Sequence, residues 1–269
     1  MPVRKLTVDV VRSFQRNGLA NLASAIAFRV VLSLVPFMLF LLALIGFLDL
    51  EEIWRQDVAP ELKKSASDAG YRLISDTVDQ VLSQKQVWWL SVGLLVTLWE
   101  LSSTTRVAMT AMDRIYGYYR RRSFLEVFPR SVALGAVMGV CAVGAIAIVR
   151  FGPLLTGDLD SVLVVLSFLV RWLLAAAVLA LGVGLLVRYG SATRQPLPWV
   201  SVGTGLVLAA WVLTSIGFGL YATYIASYES VFGHLATFFV LLIYIYLIAN
   251  AFLVGIQLDA DVRKRAEAS

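Results

Sequence analysis

Trp88-Trp89-Leu90-Ser91-Val92-Gly93-Leu94-Leu95-Val96-Thr97-Leu98-Trp99-Glu100-Leu101-Ser102-Ser103-Thr104-Thr105-Arg106 is the stretch that decides the fold. Its first half is apolar. Beyond it the chain turns basic, with Arg106, Arg114, Arg120, Arg121, Arg122 and Arg130 set against Asp113 and Glu126. About 20 apolar residues cross a hydrocarbon core about 30 Å thick, and Lys and Arg are retained on the cytoplasmic side. The stretch therefore reads as a membrane span with its arginine end inside. Glu100 lies within that span, where an ionisable group is costly enough to mark a functional candidate.

The composition agrees. The chain has 269 residues, of which 59% are hydrophobic and 15% charged, against about 25% charged in soluble domains. That much apolar surface needs lipid as its solvent. The net charge is +5, but the bases sit in short loops beside apolar runs, where membrane topology accounts for them and no nucleic-acid partner is expected. A single cysteine, Cys141, in an apolar run builds neither a disulfide framework nor a cysteine metal cluster and reads as a small packing residue. No Walker, Rossmann or nucleophile-elbow pattern occurs, so ATP-driven transport within this chain is not expected; no cofactor is expected either.

Working outward, the expected fold is all-α: a polytopic membrane domain filling residues 1–269, with six spans at about 22–48, 87–107, 131–149, 161–187, 199–224 and 235–258. Before the first span, Val3, Leu6, Val10, Val11 and Phe14 alternate with Arg4, Lys5, Arg12 and Arg16 at helical spacing, as in an amphipathic helix lying on the membrane surface. Between the first two spans, residues 49–86 carry charges interrupted by an apolar stripe of Ile53, Trp54, Val58 and Leu62, then Leu73, Ile74, Val78, Val81 and Leu82; one or two amphipathic helices outside the membrane are expected there. Gly135 and Gly139 form a GxxxG pair that lets a neighbouring helix approach closely. Arg150 to Asp160, with Gly152, Pro153 and Gly157, reads as a short loop. Six spans put both termini on one side; the N-terminus, the Arg106–Arg130 loop, Arg188 and Arg194, and the tail then fall together in the cytoplasm, leaving residues 49–86, the Arg150–Arg171 region and the Glu229 loop outside.

Polar residues inside the spans make the candidate site. They are Arg29, Ser33 and Pro36 in the first span, Glu100 and Ser103 in the second with Asp113 beyond it, and Asn250 and Gln257 in the last. Pro36 removes one backbone hydrogen bond and is expected to kink its helix. Arg29 either snorkels to the headgroups or pairs with Glu100 at similar depth.

At this point the chain resembles a family. Ala27-Phe28-Arg29-Val30-Val31-Leu32-Ser33-Leu34-Val35-Pro36 is similar to the opening motif of the YihY/BrkB family of bacterial inner-membrane proteins. Trp99 with Ser102 or Ser103, then Met112-Asp113-Arg114-Ile115-Tyr116-Gly117, resembles its second motif. Phe232-Gly233 and Gly255-Ile256-Gln257-Leu258-Asp259-Ala260 resemble its end. Four positions depart from the usual pattern: Arg29 stands for a tyrosine, Asp113 for an asparagine, Gln257 for a glutamate and Asp259 for an asparagine. The resemblance implies an inner-membrane location, a history of labelling as ribonuclease BN, a link to serum resistance, and export or flipping of lipids or lipid-linked sugars.

A ribonuclease needs a general acid/base pair or a carboxylate-metal site. His234, the only histidine, falls on the outer side in this topology, and Asp259 and Asp261, two residues apart, point away from each other on a helix. No enzyme is expected. Two readings remain: a transporter or flippase for an amphipathic, lipid-like solute, with membrane lipids as partners, or a non-transporting scaffold for cell-envelope proteins. Either is compatible with a homo-oligomer. The ionisable groups within the spans favour the first.

Overall fold

The computed structural model of the protein describes residues 3–47, 52, 54–60, 63, 71–72, 75–76, 78–79, 87–118, 122–156, 161–192, 202–224 and 231–266. Among the described residues the elements are helical: α1 (Val3–Arg16), α2 (Leu19–Phe47), a π-helical turn at Trp54–Val58, α3 (Val87–Ile115), α4 (Phe124–Thr156), α5 (Ser161–Gly190), α6 (Val202–Tyr224) and α7 (Val231–Ala266). Arg120, Arg121, Arg194, Glu229 and most of 49–86 lie outside the described residues.

Four helical stretches are long and apolar enough to cross a membrane: Leu19–Phe47, Phe124–Arg150, Val165–Gly190 and Phe238–Arg265. The apolar part of α6, Ala209–Tyr221, is shorter. With 29 residues, α3 is about 43 Å long at 1.5 Å per residue. It has the length to span, but Glu100 and Arg106 interrupt its apolar run.

The main packing pairs place the helices in the order α6–α7–α2–α3–α4–α5, with α1 laid against α7 and α2. The core sits toward the basic end, where α2, α3, α4, α5 and α7 converge. There Leu19, Met109, Met112, Ile115 and Leu253 are fully buried, with Ala23, Ala108, Ala111, Ala249 and Ala260 at the close approaches. At the opposite end Trp54, Ala59 and Val78 are buried together over Leu42 and Ile45 of α2. Trp54, Ala59 and Val78 belong to the segment expected to form amphipathic helices.

Two glycines punctuate the basic end. Gly18 (φ 62°) separates α1 from α2, and Gly117 (φ 77°) ends α3. At Gly117 the Tyr118 N–H reaches Asp113 O at 2.7 Å and the Gly117 N–H reaches Arg114 O at 3.2 Å. This is the Schellman stop, in which the left-handed residue is best supplied by glycine. The Tyr116-Gly117 pair thus marks the end of a helix.

One expectation is corrected. Arg150, Gly152 and Pro153 do not open a loop; α4 runs through them to Thr156. Turn propensities are calibrated in water, whereas in lipid a backbone group released from its helix has no solvent partner, and helices tolerate Gly and Pro. The GxxxG pair does meet a helix. A Cβ at Gly135 would lie 3.0 Å from Leu101 C, and one at Gly139 would lie 3.0 Å from Leu101 Cδ1. By contrast, a Cβ at Gly217 or Gly219 of α6 would meet nothing within 4 Å, so these glycines do not mark a close helix approach.

Candidate functional site: a polar seam between α2, α3 and α4

The α2–α3 register follows from two contacts. Arg29 Nη1 donates to Ser103 Oγ, and the backbone of Phe40 lies against Gly93, where an added Cβ would be 3.2 Å from Phe40 Cα. The helices are antiparallel, so Ser33 and Pro36 come opposite Glu100 and Thr97. Ser33 is buried, and its hydroxyl donates to Val30 O at 2.7 Å. Pro36 sits inside α2 without an N–H, so the Leu32 carbonyl loses its helical donor at this level.

Glu100 Oε2, Thr97 Oγ1 and Thr104 Oγ1 are buried with no hydrogen-bond partner among the described residues. Their spacing of three and four residues puts all three on one face of α3. Buried polar atoms without partners are uncommon, and each calls for an explanation.

Of the two readings of Arg29, pairing with Glu100 is not seen among the described residues. Among the described residues no ion pair joins them: the Arg29 guanidinium goes to Ser103, and Glu100 Oε2 has no partner. The cause is directional. Helical side chains lean toward the N-terminus of their own helix. Since α2 starts at the basic end and α3 finishes there, Arg29 leans toward the basic end and Glu100 away from it.

A second network lies on the α4 side. Ser102 and Ser131, both fully buried, share a hydrogen bond of 2.7 Å. Arg106 Nη1 donates to Ser102 Oγ at 2.6 Å and, more weakly, to Ser131 Oγ at 3.5 Å. The Ser131 hydroxyl also reaches Phe128 O at 2.8 Å. The Arg106 guanidinium lies 5.8 Å from the Trp99 ring centroid and 5.7 Å from that of Phe128, within cation–π range. Arg29 and Glu100 both fall within electrostatic reach of Arg106. Two guanidinium groups against one carboxylate leave the seam with an excess positive charge.

The other expected residues lie elsewhere. Asp113 pairs with Arg122 and accepts the Ala192 N–H at 2.9 Å, while Arg122 Nη2 caps α5 at Gly190 O, also 2.9 Å. Gln257, only 1% exposed, accepts from Asn17 Nδ2 at 3.0 Å and donates to Asp261 Oδ1 at 3.0 Å. Arg114 reaches Asn17 O, Lys264 reaches Ile115 O, and Arg265 pairs with Asp9. These contacts tie the helix ends at the basic face. Beside them, burial and the Asp259 carboxylate push the Tyr116 phenol up to about 12, with Arg263 opposing. Asn250 donates to Tyr246 O at 2.8 Å within its own helix.

The seam thus joins Arg29, Ser33, Pro36, Glu100 and Ser103 and leaves out Asp113, Asn250 and Gln257. It adds Thr97, Ser102, Thr104, Arg106 and Ser131. Of these, Ser102 and Arg106 had a legible signal, a side-chain pair at i,i+4.

A signature of the same kind runs through almost the entire chain. The profile described as "Virulence factor BrkB" matches residues 10–269. The chain is a member of the virulence factor BrkB family. This BrkB-family protein is similar to YfkH of Bacillus subtilis (strain 168), whose name describes it as ribonuclease-like. The two are 26% identical over 250 residues, covering 90% of each chain. No solved structure matches. Family membership and the long apolar helices together make it an integral membrane protein.

Proposed function

We infer that this BrkB-family protein is a transporter or flippase of the bacterial inner membrane for an amphipathic, lipid-like solute, and not an enzyme. In this reading α2 to α7 are the six spans, α1 lies on the cytoplasmic surface, and both termini are cytoplasmic. The observation that carries it is Glu100 Oε2, buried with no hydrogen-bond partner among the described residues, on one face of α3 with the hydroxyls of Thr97 and Thr104 and within electrostatic reach of Arg106. An ionisable group left unsatisfied inside a membrane domain marks a solute or proton path more often than a structural tie. A polar seam between helices lets a headgroup cross while the acyl chains stay in lipid. A scaffold has no use for an unpartnered carboxylate oxygen, so the non-transporting alternative draws no support from this feature.

The test is lipid translocation in proteoliposomes, followed by quenching of a fluorescent phospholipid from outside. The wild type is expected to expose inner-leaflet lipid and Glu100→Gln to do so at least about tenfold more slowly, equivalent to about 1.4 kcal/mol in the barrier. Equal rates from wild type, mutant and protein-free vesicles would favour the scaffold.

Topology has its own check. In a Cys141→Ser background, single cysteines at Asp68 and Ser123 are expected to label from outside and inside respectively. Labelling at position 68 by an impermeant reagent only after permeabilisation would overturn the orientation.

A further inference from the structure

Arg106 also belongs to the outer surface of the bundle. On α3, Trp88, Leu95, Trp99 and Arg106 are spaced by seven, four and seven residues, which aligns them on one face. Trp88, Leu95 and Trp99 are exposed outside the protein, Trp99 by 56%. The rise from Trp88 to Arg106 is about 27 Å, close to the hydrocarbon thickness of about 30 Å. In the six-span reading Trp88 and Arg106 therefore stand at opposite boundaries of the bilayer, with Arg106 at the headgroup level of the basic end.

The local chemistry is that of a seat. Phe124 stacks on Phe128, with ring centroids 5.1 Å apart, and Phe128 packs near Trp99 at 6.1 Å. Phe124 is 62% exposed and with Phe128 gives an apolar wall beside the guanidinium. Among the described residues the hydrogen bonds of Arg106 run from Nη1 alone, to Ser102 and Ser131. These hold the group in place and leave the Nε–Nη2 edge for another acceptor. That edge is a planar fork matched to two oxygens of a phosphate. The nearby Arg29 adds a second positive charge, and Glu100 offsets one of the two.

The geometry points to a binding site for an anionic phospholipid of the leaflet at the basic end. Its phosphate lies on the free edge of Arg106, and its acyl chains run along Trp99, Phe128 and Phe124. The site opens sideways to the membrane between α3 and α4. It rests on the transport reading only in supplying the class of solute that reaches the seam; occupancy itself does not require transport.

The experiment uses the full chain in a neutral detergent, with phosphatidylglycerol or phosphatidylcholine added to the micelles and thermal unfolding as the readout. Phosphatidylglycerol is expected to raise Tm by at least about 3 °C over phosphatidylcholine, and Arg106→Gln is expected to abolish the difference. Arg106→Lys keeps the charge but loses the fork. It is expected to retain about half the shift at most, which covers the case in which the glutamine variant fails to fold. An equal response to both lipids, or an undiminished phosphatidylglycerol shift in the lysine variant, would overturn the site. The same would follow if inorganic phosphate at matched ionic strength reproduced the shift without lipid, because the ligand would then be a free anion. Lost lipid discrimination with translocation intact removes this site and leaves transport standing. A retained shift with no translocation does the reverse.

Discussion

Gly135→Leu is expected to yield almost no folded protein. A Cβ at this position would lie 3.0 Å from Leu101 C, 3.1 Å from Leu101 O and 3.1 Å from Ser102 N. All three are backbone atoms of α3, so no rotamer change relieves the contact. Helices α3 and α4 must separate, which also pulls Ser131 from Ser102 and loosens the anchor of Arg106. Overpacking a well-filled contact costs about 1–3 kcal/mol; obstruction by backbone and loss of the serine pair carry this substitution beyond that range. Gly135→Ala is expected to show a milder form of the same defect. Gly139 differs, because its neighbour at 3.0 Å is Leu101 Cδ1, the far end of a flexible side chain. Gly139→Ala is therefore expected to stay within about 1 kcal/mol of wild type. Monodisperse yield and melting temperature in one detergent separate these cases. Wild-type values for Gly135→Leu would show that α3 and α4 do not meet at this glycine.

Glu100→Gln is the second large effect. The substitution removes the carboxylate that offsets Arg106 and leaves Arg29, deeper in the domain, with only a second guanidinium in electrostatic reach among the described residues. An unpaired charge at the bilayer centre costs about 2.5–3.5 kcal/mol on insertion scales. Glu100 is only half-buried and lies a few turns from the basic end, so a loss of about 2 kcal/mol is expected. Arg29→Gln is expected to cost a similar amount, part of it from the bond to Ser103; hydrogen bonds to charged groups contribute about 1.5–3 kcal/mol. Two double-mutant cycles distinguish the partners. Strong coupling is expected between Arg29 and Ser103, and weaker coupling between Arg29 and Glu100. The charge swap, Glu100→Arg with Arg29→Glu, is expected to fold less well than Glu100→Gln, because the arginine on α3 would lean into the apolar middle. If the swap recovered wild-type stability, the two side chains would have to be in direct contact.

Much of the fold was legible because a lipid-facing helix needs little beyond length and apolarity. The runs behind α2, α4, α5 and α7 met that condition from the sequence alone. Helix ends were less visible. Pro153 resembles a turn residue in any soluble context and sits in a helix here. In the site, single residues were visible but their partners were not. Arg29 and Glu100 stand out as charges in apolar runs, yet their separation depends on which way each helix runs and where its side chains lean. Neither appears in a scan of charge against position. Ser131 carries no charge, and its importance rests on a bond to Ser102 across two helices. Asn17 and Gln257 meet across almost the full length of the chain, so no local pattern could pair them. Asp113 looked like a membrane acid because it follows an apolar span. The Schellman stop places it instead at a helix end, beside Arg122.

The seating of α7 against α2 has a consequence for biogenesis. These two helices stand at opposite ends of the sequence, yet they are neighbours in the bundle, and Gln257 of α7 is bonded to Asn17 in the turn just before α2. Contacts between such distant segments form late, after the intervening chain has been made. During synthesis α2 enters the bilayer with one flank bare, and lipid occupies the place that α7 will take. The ribosome must complete nearly the whole message before that lipid is displaced and the basic ends lock together. A chain that stops before α7 is therefore a nascent fragment with its first helix unsheathed, a natural mark for membrane quality-control proteases.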